Sequence, residues 1–381
     1  MPCVLLWRPK TPAYLKEAQR LDLAQVPIPE DMNTALLKLL ASPSVASKRW
    51  VYEQYDWLVG TQTIIPPGAG DAAALRIRGS EKGIALKIDC NARYCYLHPY
   101  RGGQIAVAEA ARNVACVGAT PRAITDCLNF GNPQRPEIFY QFEQAVRGIA
   151  EASEFFGTPV VSGNVSFYNE SERGAVYPTP TIGMLGILER AENAVGMGFK
   201  QAGDAVLFLC PLPSTSNQQE TTLFGLGASE YLYVIHGIER GVPEPLNLEA
   251  ERNLHRLLVE LANRRLVRSM HDLSEGGFAV ALAECALVHG VGAVVNLPPE
   301  ATCFAPRPDA TLFGEFQTRV ILSAKPEHAE AIQQLAATHG LACYPIGETG
   351  GDRVQIALKG QTVVNLTLSA CQAAYEGALL Q

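Results

Sequence analysis

Apolar positions along the chain recur with helical and strand spacing in alternation. From Ala35 the leucines Leu36, Leu37, Leu39 and Leu40 suggest a short helix, and "SKRWVYEQYD" after them supplies aromatic residues for a packing face. Gln104 to Val117 has helical composition, with Ile105, Ala108, Ala111 and Cys116 available for burial; Gly118 stops the helix and Pro121 prevents its continuation. "RAITDCLNF" then reads as a strand. Pro136 suits a first helical position, Ile138, Phe142, Val146, Ile149 and Ala152 follow at helical spacing, and Gly157 ends the pattern. "TPVV" is the next strand and "PTIGMLGIL" looks like the strand that closes the unit. Near Ala191 the alternation starts again: "AVLFLC", a leucine-rich helix from about Leu248 to Val267, "SEGGFAVALAECAL", "GAVVNL", "TRVILSA", a helix after Pro326, and late strands around Val354 and Val363. Two successive α/β units follow from this order.

The strand, helix, strand order puts Asp126 to Asn132 and Ser162 to Asn169 at strand ends, where ligands of open α/β sheets commonly sit. Ahead of the first unit, Pro9, Pro12, Pro27 and Pro29 mark an irregular lead-in. The expected division is a lead-in or linker over 1–40, a first α/β domain over 41–190 and a second over 191–381. A length of 381 residues with 48% apolar content supports that number of packed units. The formal charge of -7 excludes a broad electrostatic attraction to nucleic acid or anionic membranes, so an anionic ligand must be held locally. No apolar run approaches the roughly 20 residues that span a bilayer, and the N-terminus lacks the basic start of a signal peptide. Ten cysteines without CxxC pairs fit thiols in a reducing compartment, so a cytoplasmic location is expected.

Several stretches carry candidate chemistry. No GxxxxGK[ST] is present, and "GAGDAA" (Gly68 to Ala73) is preceded by Pro66-Pro67 and followed by a strand, the reverse of a dinucleotide fingerprint. It reads as a tight turn, or as a turn that brings the Asp71 carboxylate near a metal-bound phosphate. "DCLNFGNP" sets Asp126 in an apolar strand, where it needs a donor or a cation; turn capping by Asn and Asp is the competing reading. In "SGNVSFYNE", Gly163 permits close backbone approach, the Asn164 amide oxygen is a hard ligand suited to magnesium, and Ser166 can donate to phosphate. Arg101 with Gly102-Gly103 precedes a helix whose first N–H groups favour anions, although ordinary helix entry would look the same. "MHDLSEGG" offers a second helix start with Asp272 or Ser274 as cap. His271 has no His or Cys partner at metal-ligand spacing and reads as a core histidine or as one that supports a ligand residue from behind.

Taken in order, "ASPSVASKRWVYEQYD", "GDAAALRI", "DCNARYCYLHPYRGGQIAVAEAARNVACVGATPRAITDCLNFGNPQRPE", "GTPVVSGNVSFYNES" and "HDLSEGG" resemble the C-terminal half of the synthetase subunits of the phosphoribosylformylglycinamidine synthase family, from about Ala41 to about Leu366. The resemblance implies one aminoimidazole-ribonucleotide-synthetase-like unit, an N-type α/β domain forming half of a shared barrel plus a C-type α/β domain. It also implies the family's reaction, ATP-dependent conversion of formylglycinamide ribonucleotide to its amidine, with Mg2+ and with ammonia from a glutamine amidotransferase subunit. By matching motif, Asp126 and Gly163 would contact ATP, Asn164 would ligate magnesium and Ser166 would contact the ribonucleotide; Asp71, Arg101 and Asp272 are further candidate anion or metal contacts. The family's first half carries a "THNHP"-like segment with the catalytic histidine, and this chain has "DCNARYCYLHPYRGG" at the equivalent position. The resemblance therefore assigns no catalytic residue here and makes the N-terminal half a required partner. Alternatives are a non-catalytic nucleotide-binding scaffold and a self-contained homodimeric kinase or synthetase of the same superfamily.

Overall fold

The computed structural model describes residues 8–212, 223–301 and 307–379. Its first sheet holds β1 (Thr63–Ile65), β2 (Ala73–Arg76), β3 (Gly83–Asp89), β4 (Thr120–Asn129) and β5 (Val160–Ser166); a two-stranded pair, β6 (Glu170–Ser171) and β7 (Gly174–Ala175), precedes β8 (Thr179–Leu188). The sheet order is β1-β2-β3-β8-β4-β5, antiparallel except for the parallel pair β4/β5. The "PTIGMLGIL" strand thus lies in the middle of the sheet between β3 and β4: Ser166 at the end of β5 and Thr179 at the start of β8 both stand opposite Asn129, so the chain passes the end of β4 and returns antiparallel to it.

Only one face of this sheet is covered. Ile124, Ile182, Met184 and Ala85 pack under the helices Pro99–Cys116 and Pro136–Phe156, through Val107, Ala110, Val114, Ala145 and Ile149. These helices touch backbone to backbone: a Cβ on Gly148 would lie 2.0 Å from the Tyr100 carbonyl oxygen. The opposite face carries Leu86 and Ile88, 43% and 73% exposed among the described residues. Because side chains alternate along a strand, every second residue of β3, β8, β4 and β5 contributes to that open face.

The second sheet holds β9 (Ala205–Pro211), β10 (Ser269–Asp272), β11 (Ala293–Leu297), β12 (Val320–Ala324), β13 (Leu341–Thr349), β14 (Arg353–Leu358) and β15 (Gln361–Thr367), in the order β10-β12-β9-β13-β11-β14-β15. Its strands β10, β12 and β9 are covered on both faces. Leu207 and Leu209 pack with Leu254, Leu258 and Ile332 of one helix layer, while Val206 and Phe208 pack with Phe278, Leu282 and Tyr231 of the other. That is the continuous apolar run of a strand buried on both sides.

Treating residues 1–40 as a linker needs correction for the described part. Asp31 accepts hydrogen bonds from the N–H groups of Asn33 and Thr34 and starts the helix Met32–Leu40. Leu36, Leu39 and Leu40 of that helix are fully buried in the second unit's core, and Leu15, Leu23 and Val26 are buried before it. Proline stops regular hydrogen bonding without preventing apolar side chains from packing, so the proline-rich composition misleads. No helix among the described residues is long and apolar enough to cross a membrane.

Candidate functional site

Asp126 lies in the strand β4, and the candidate residues of "SGNVS" lie within β5 rather than beyond its end. Asp126 pairs with Gly163, Cys127 with Asn164 and Asn129 with Ser166 across the parallel β4/β5 ladder. The pleat then sorts the side chains. Asp126 points to the helix-covered side, flanked by buried Ile124 and Leu128, and its Oδ1 hangs over Gly163: a Cβ there would sit 2.1 Å away. Partial burial pushes the Asp126 carboxyl above the ordinary range. Asn164 and Ser166 lie on the open side with Cys127 and Asn129; Asn164 Nδ2 is 3.9 Å from Cys127 Sγ, and Asn129 Nδ2 donates to the Cys127 carbonyl at 3.0 Å.

The four residues to which the resemblance gives neighbouring ligand roles therefore do not face one way. Asp126 and Gly163 look to one face, Asn164 and Ser166 to the other, and the width of the edge strand β5 separates the two sets. The extended backbone is the cause, since it runs through Asn129 and Ser166 before the chain turns. Beyond the strands the loops do close on each other. Phe130 N donates to Ser166 O at 3.0 Å, Tyr168 N to Gly131 O at 3.1 Å, and Asn132 N to Glu170 Oε1 at 2.8 Å.

Asp71 and Asp272 meet at a different place, a cavity of about 210 Å³ between the two units, also lined by Lys87, Asn113, His271 and Glu284. Asp71 Oδ2 accepts the Asp272 N–H at 2.8 Å. His271 Nδ1 is 2.5 Å from Asp71 Oδ1 and its Nε2 is 3.1 Å from Glu284 Oε2. Both ring nitrogens therefore face carboxylates and can both donate only as imidazolium. Burial alone would strip that proton, but the Asp71 charge holds His271 well above the ordinary histidine range. The ligand atoms of Asp71, His271 and Asp272 lie within 4.8 Å of one another, a spacing that holds a cation only with the ring deprotonated; as imidazolium, His271 itself supplies the positive charge there.

Asp272 does not cap the following helix. Gly276 occupies the cap position without a side-chain bond, and Asp272 Oδ2 instead accepts from Arg112 Nε at 3.2 Å. Arg112 is fully buried, and its other nitrogens reach Glu251 Oε1 at 2.8 Å and Gln317 Oε1 at 3.2 Å. Arg101 donates to the Pro243 carbonyl at 2.6 Å and does not line the cavity. His98 accepts the Arg101 N–H through Nδ1, and burial pushes it down to about 4, so it serves as a neutral helix cap. The network around Arg112 is absent from the sequence reading. Its one local signal is an arginine within the small-residue run "AEAARNVA".

A second buried carboxylate sets a pH dependence. Glu315 Oε1 accepts from the N–H groups of Glu230 and Gly276 at 2.8 and 2.9 Å, and Oε2 accepts from the Tyr94 hydroxyl. Burial and the neighbouring Glu275 push Glu315 up to about 8. A carboxyl with a raised folded pKa holds its proton more tightly in the folded state, so it lowers stability as pH rises from its unfolded value toward pH 8. His271, raised above about 6.5, acts in the same direction from that pH upward. The thermal midpoint is expected to fall between pH 6.5 and 8, and Glu315→Gln to flatten that slope while its amide oxygen keeps the two backbone N–H bonds. Circular dichroism melts across this window check it; an unchanged slope in the variant contradicts it.

Comparison with known proteins adds a family. Residues 69–188 match the AIR synthase related protein family, N-terminal domain, and residues 201–359 match its C-terminal domain. The chain is 49% identical over 359 residues to phosphoribosylformylglycinamidine synthase subunit PurL of Moorella thermoacetica, covering 94% of this chain and 47% of the relative. The same subunit of Alkaliphilus metalliredigens is 46% identical over 368 residues, 97% of this chain and 48% of the relative. The chain spans about half the length of the curated relatives it matches. Thermotoga maritima PurL, solved in complex with FGAR, superposes on 91% of this chain and 54% of that one with a TM-score of 0.70 at 19% identity, which shows a shared fold.

Proposed function

Because the chain belongs to the AIR synthase related protein family and carries both of its domains, we propose that it works as the C-terminal half of a phosphoribosylformylglycinamidine synthase. The observation that carries this is the match of nearly the whole chain, 94%, to 47% of a synthase subunit. The other half, which the relatives' length accommodates, would cover the open face of the first sheet. The exposed Leu86 and Ile88 support such a covering partner. The domain division at 41–190 and 191–381 and a cytoplasmic location belong to the same proposal.

In this reading ATP activates the amide oxygen of formylglycinamide ribonucleotide; ammonia from a glutamine amidotransferase subunit then adds to that carbon and phosphate leaves, giving the amidine. The catalytic histidine comes from the N-terminal half. This chain positions ligands at the edge of its first sheet. Gly163, without a Cβ, leaves room for the Asp126 carboxylate over the β5 backbone, and the two would meet the nucleotide at the strand edge; Asn164 offers an amide oxygen to Mg2+, and Ser166 donates to the ribonucleotide. The donor set fits that use: a carboxylate, a hard amide oxygen and a hydroxyl. Bound Mg2+ would offset the repulsion between two phosphorylated ligands.

Gly163→Ala tests the ATP role. The added Cβ, 2.1 Å from Asp126 Oδ1, must push the carboxylate aside. In the assembled synthase the KM for ATP is expected to rise about 10-fold or more. A non-catalytic scaffold would show unchanged ATP kinetics in the variant.

A further inference from the structure

Ser166 ends β5 on the open face, and its hydroxyl lies within reach of the Asn169 amide. Asn169 Nδ2 is 2.9 Å from Ser166 O and 3.2 Å from Phe130 O. Backbone carbonyls only accept, which identifies that atom as the nitrogen and turns Oδ1 away from them. Ser166 Oγ lies 3.2 Å from Nδ2 and 3.4 Å from Oδ1. The two amide protons are taken by the carbonyls, so the hydroxyl proton rests on Oδ1 through a bond well beyond the roughly 2.8 Å of a strong O–H···O contact. The Asn169 backbone N–H goes to Phe130 O at 3.1 Å as well, so this residue ties the end of β5 to the loop after β4.

From this geometry we infer that Asn169 is a positioning residue for Ser166. It holds the hydroxyl on the open face and keeps its proton on a weak acceptor. That proton can then turn to a phosphate oxygen, where a charge-assisted bond is about twice as strong as a neutral one. The inference rests on the substrate role proposed for Ser166, with the phosphate of the ribonucleotide as the charged acceptor that the freed proton favours. The sequence alone offers Ser166 as a donor to phosphate and gives Asn169 no role.

A double-mutant cycle on the assembled synthase, with formylglycinamide ribonucleotide as the probe, tests it. Ser166→Ala and Asn169→Ala are each expected to raise the ribonucleotide KM about 10-fold, leaving the KM for ATP unchanged. Together they should exceed Ser166→Ala alone by less than about 2-fold, because the second change acts through the first. Multiplying effects, or an Asn169→Ala KM equal to that of the parent, overturn the inference while the substrate role stands. An unchanged KM in Ser166→Ala removes the substrate role and the inference with it. Asn169→Ser keeps one donor for a carbonyl, so the cycle is repeated with it if thermal melts show that the alanine variant is poorly folded.

Discussion

Arg112→Met is expected to destabilise the chain by roughly 3–5 kcal/mol, the usual cost of removing one partner from a buried ion pair. The guanidinium belongs to the helix Pro99–Cys116 of the first unit, whereas Glu251, Asp272 and Gln317 belong to the second. Glu251 is fully buried and also accepts from Thr318 Oγ1 at 2.5 Å. Burial would raise its pKa, but the Arg112 charge holds it down at about 2, so it stays ionised at neutral pH. Without the arginine that charge has lost its main counterion, and the junction between the units opens first. Urea titration measures the loss. Adding Glu251→Gln to Arg112→Met should restore part of it by removing the stranded charge, and a double variant less stable than the single one would contradict this account of the junction.

Turnover in the assembled synthase is the second large effect. Asn164→Ala is expected to lower kcat about 100-fold by removing the amide oxygen assigned to the metal. Asn164→Asp keeps an oxygen at that position and should retain more activity than the alanine variant. Because Asn164 is exposed at the sheet edge, neither change should move the thermal midpoint of the isolated chain. Steady-state rates with saturating ATP and ammonia check this. A kcat within about 2-fold of the parent would remove the metal role.

Much of the scaffold was readable from periodicity. The helices Pro136–Phe156 and Leu248–Asn263 lie where the apolar spacing puts them, and β9 and β12 coincide with apolar runs; the helix Pro99–Cys116 starts ahead of the expected Gln104, so Arg101, Gly102 and Gly103 lie inside it rather than before it. Local pattern could not show that Thr179–Leu188 would insert between β3 and β4, since strand order is decided by distant pairing. It also failed at Ser162–Ser166, where the small polar residues typical of a turn continue an edge strand. That one difference decides which face each candidate side chain takes. The charged junction was illegible for a related reason: Arg112 finds its partners more than 130 positions away, Glu251 at a separation of 139 and Asp272 at 160. The resemblance singled out Asp126, Gly163, Asn164 and Ser166 but could not tell that they share one strand pair whose pleat divides them.

The account turns on this chain being one of two complementary halves. The direct measurement is ATP-dependent amidine formation from formylglycinamide ribonucleotide and ammonia, by this chain, by a separately produced N-terminal half, and by their equimolar mixture. Turnover only in the mixture is the predicted result. Equal turnover by this chain alone, or none from a mixture in which both polypeptides are folded and associated, would contradict it.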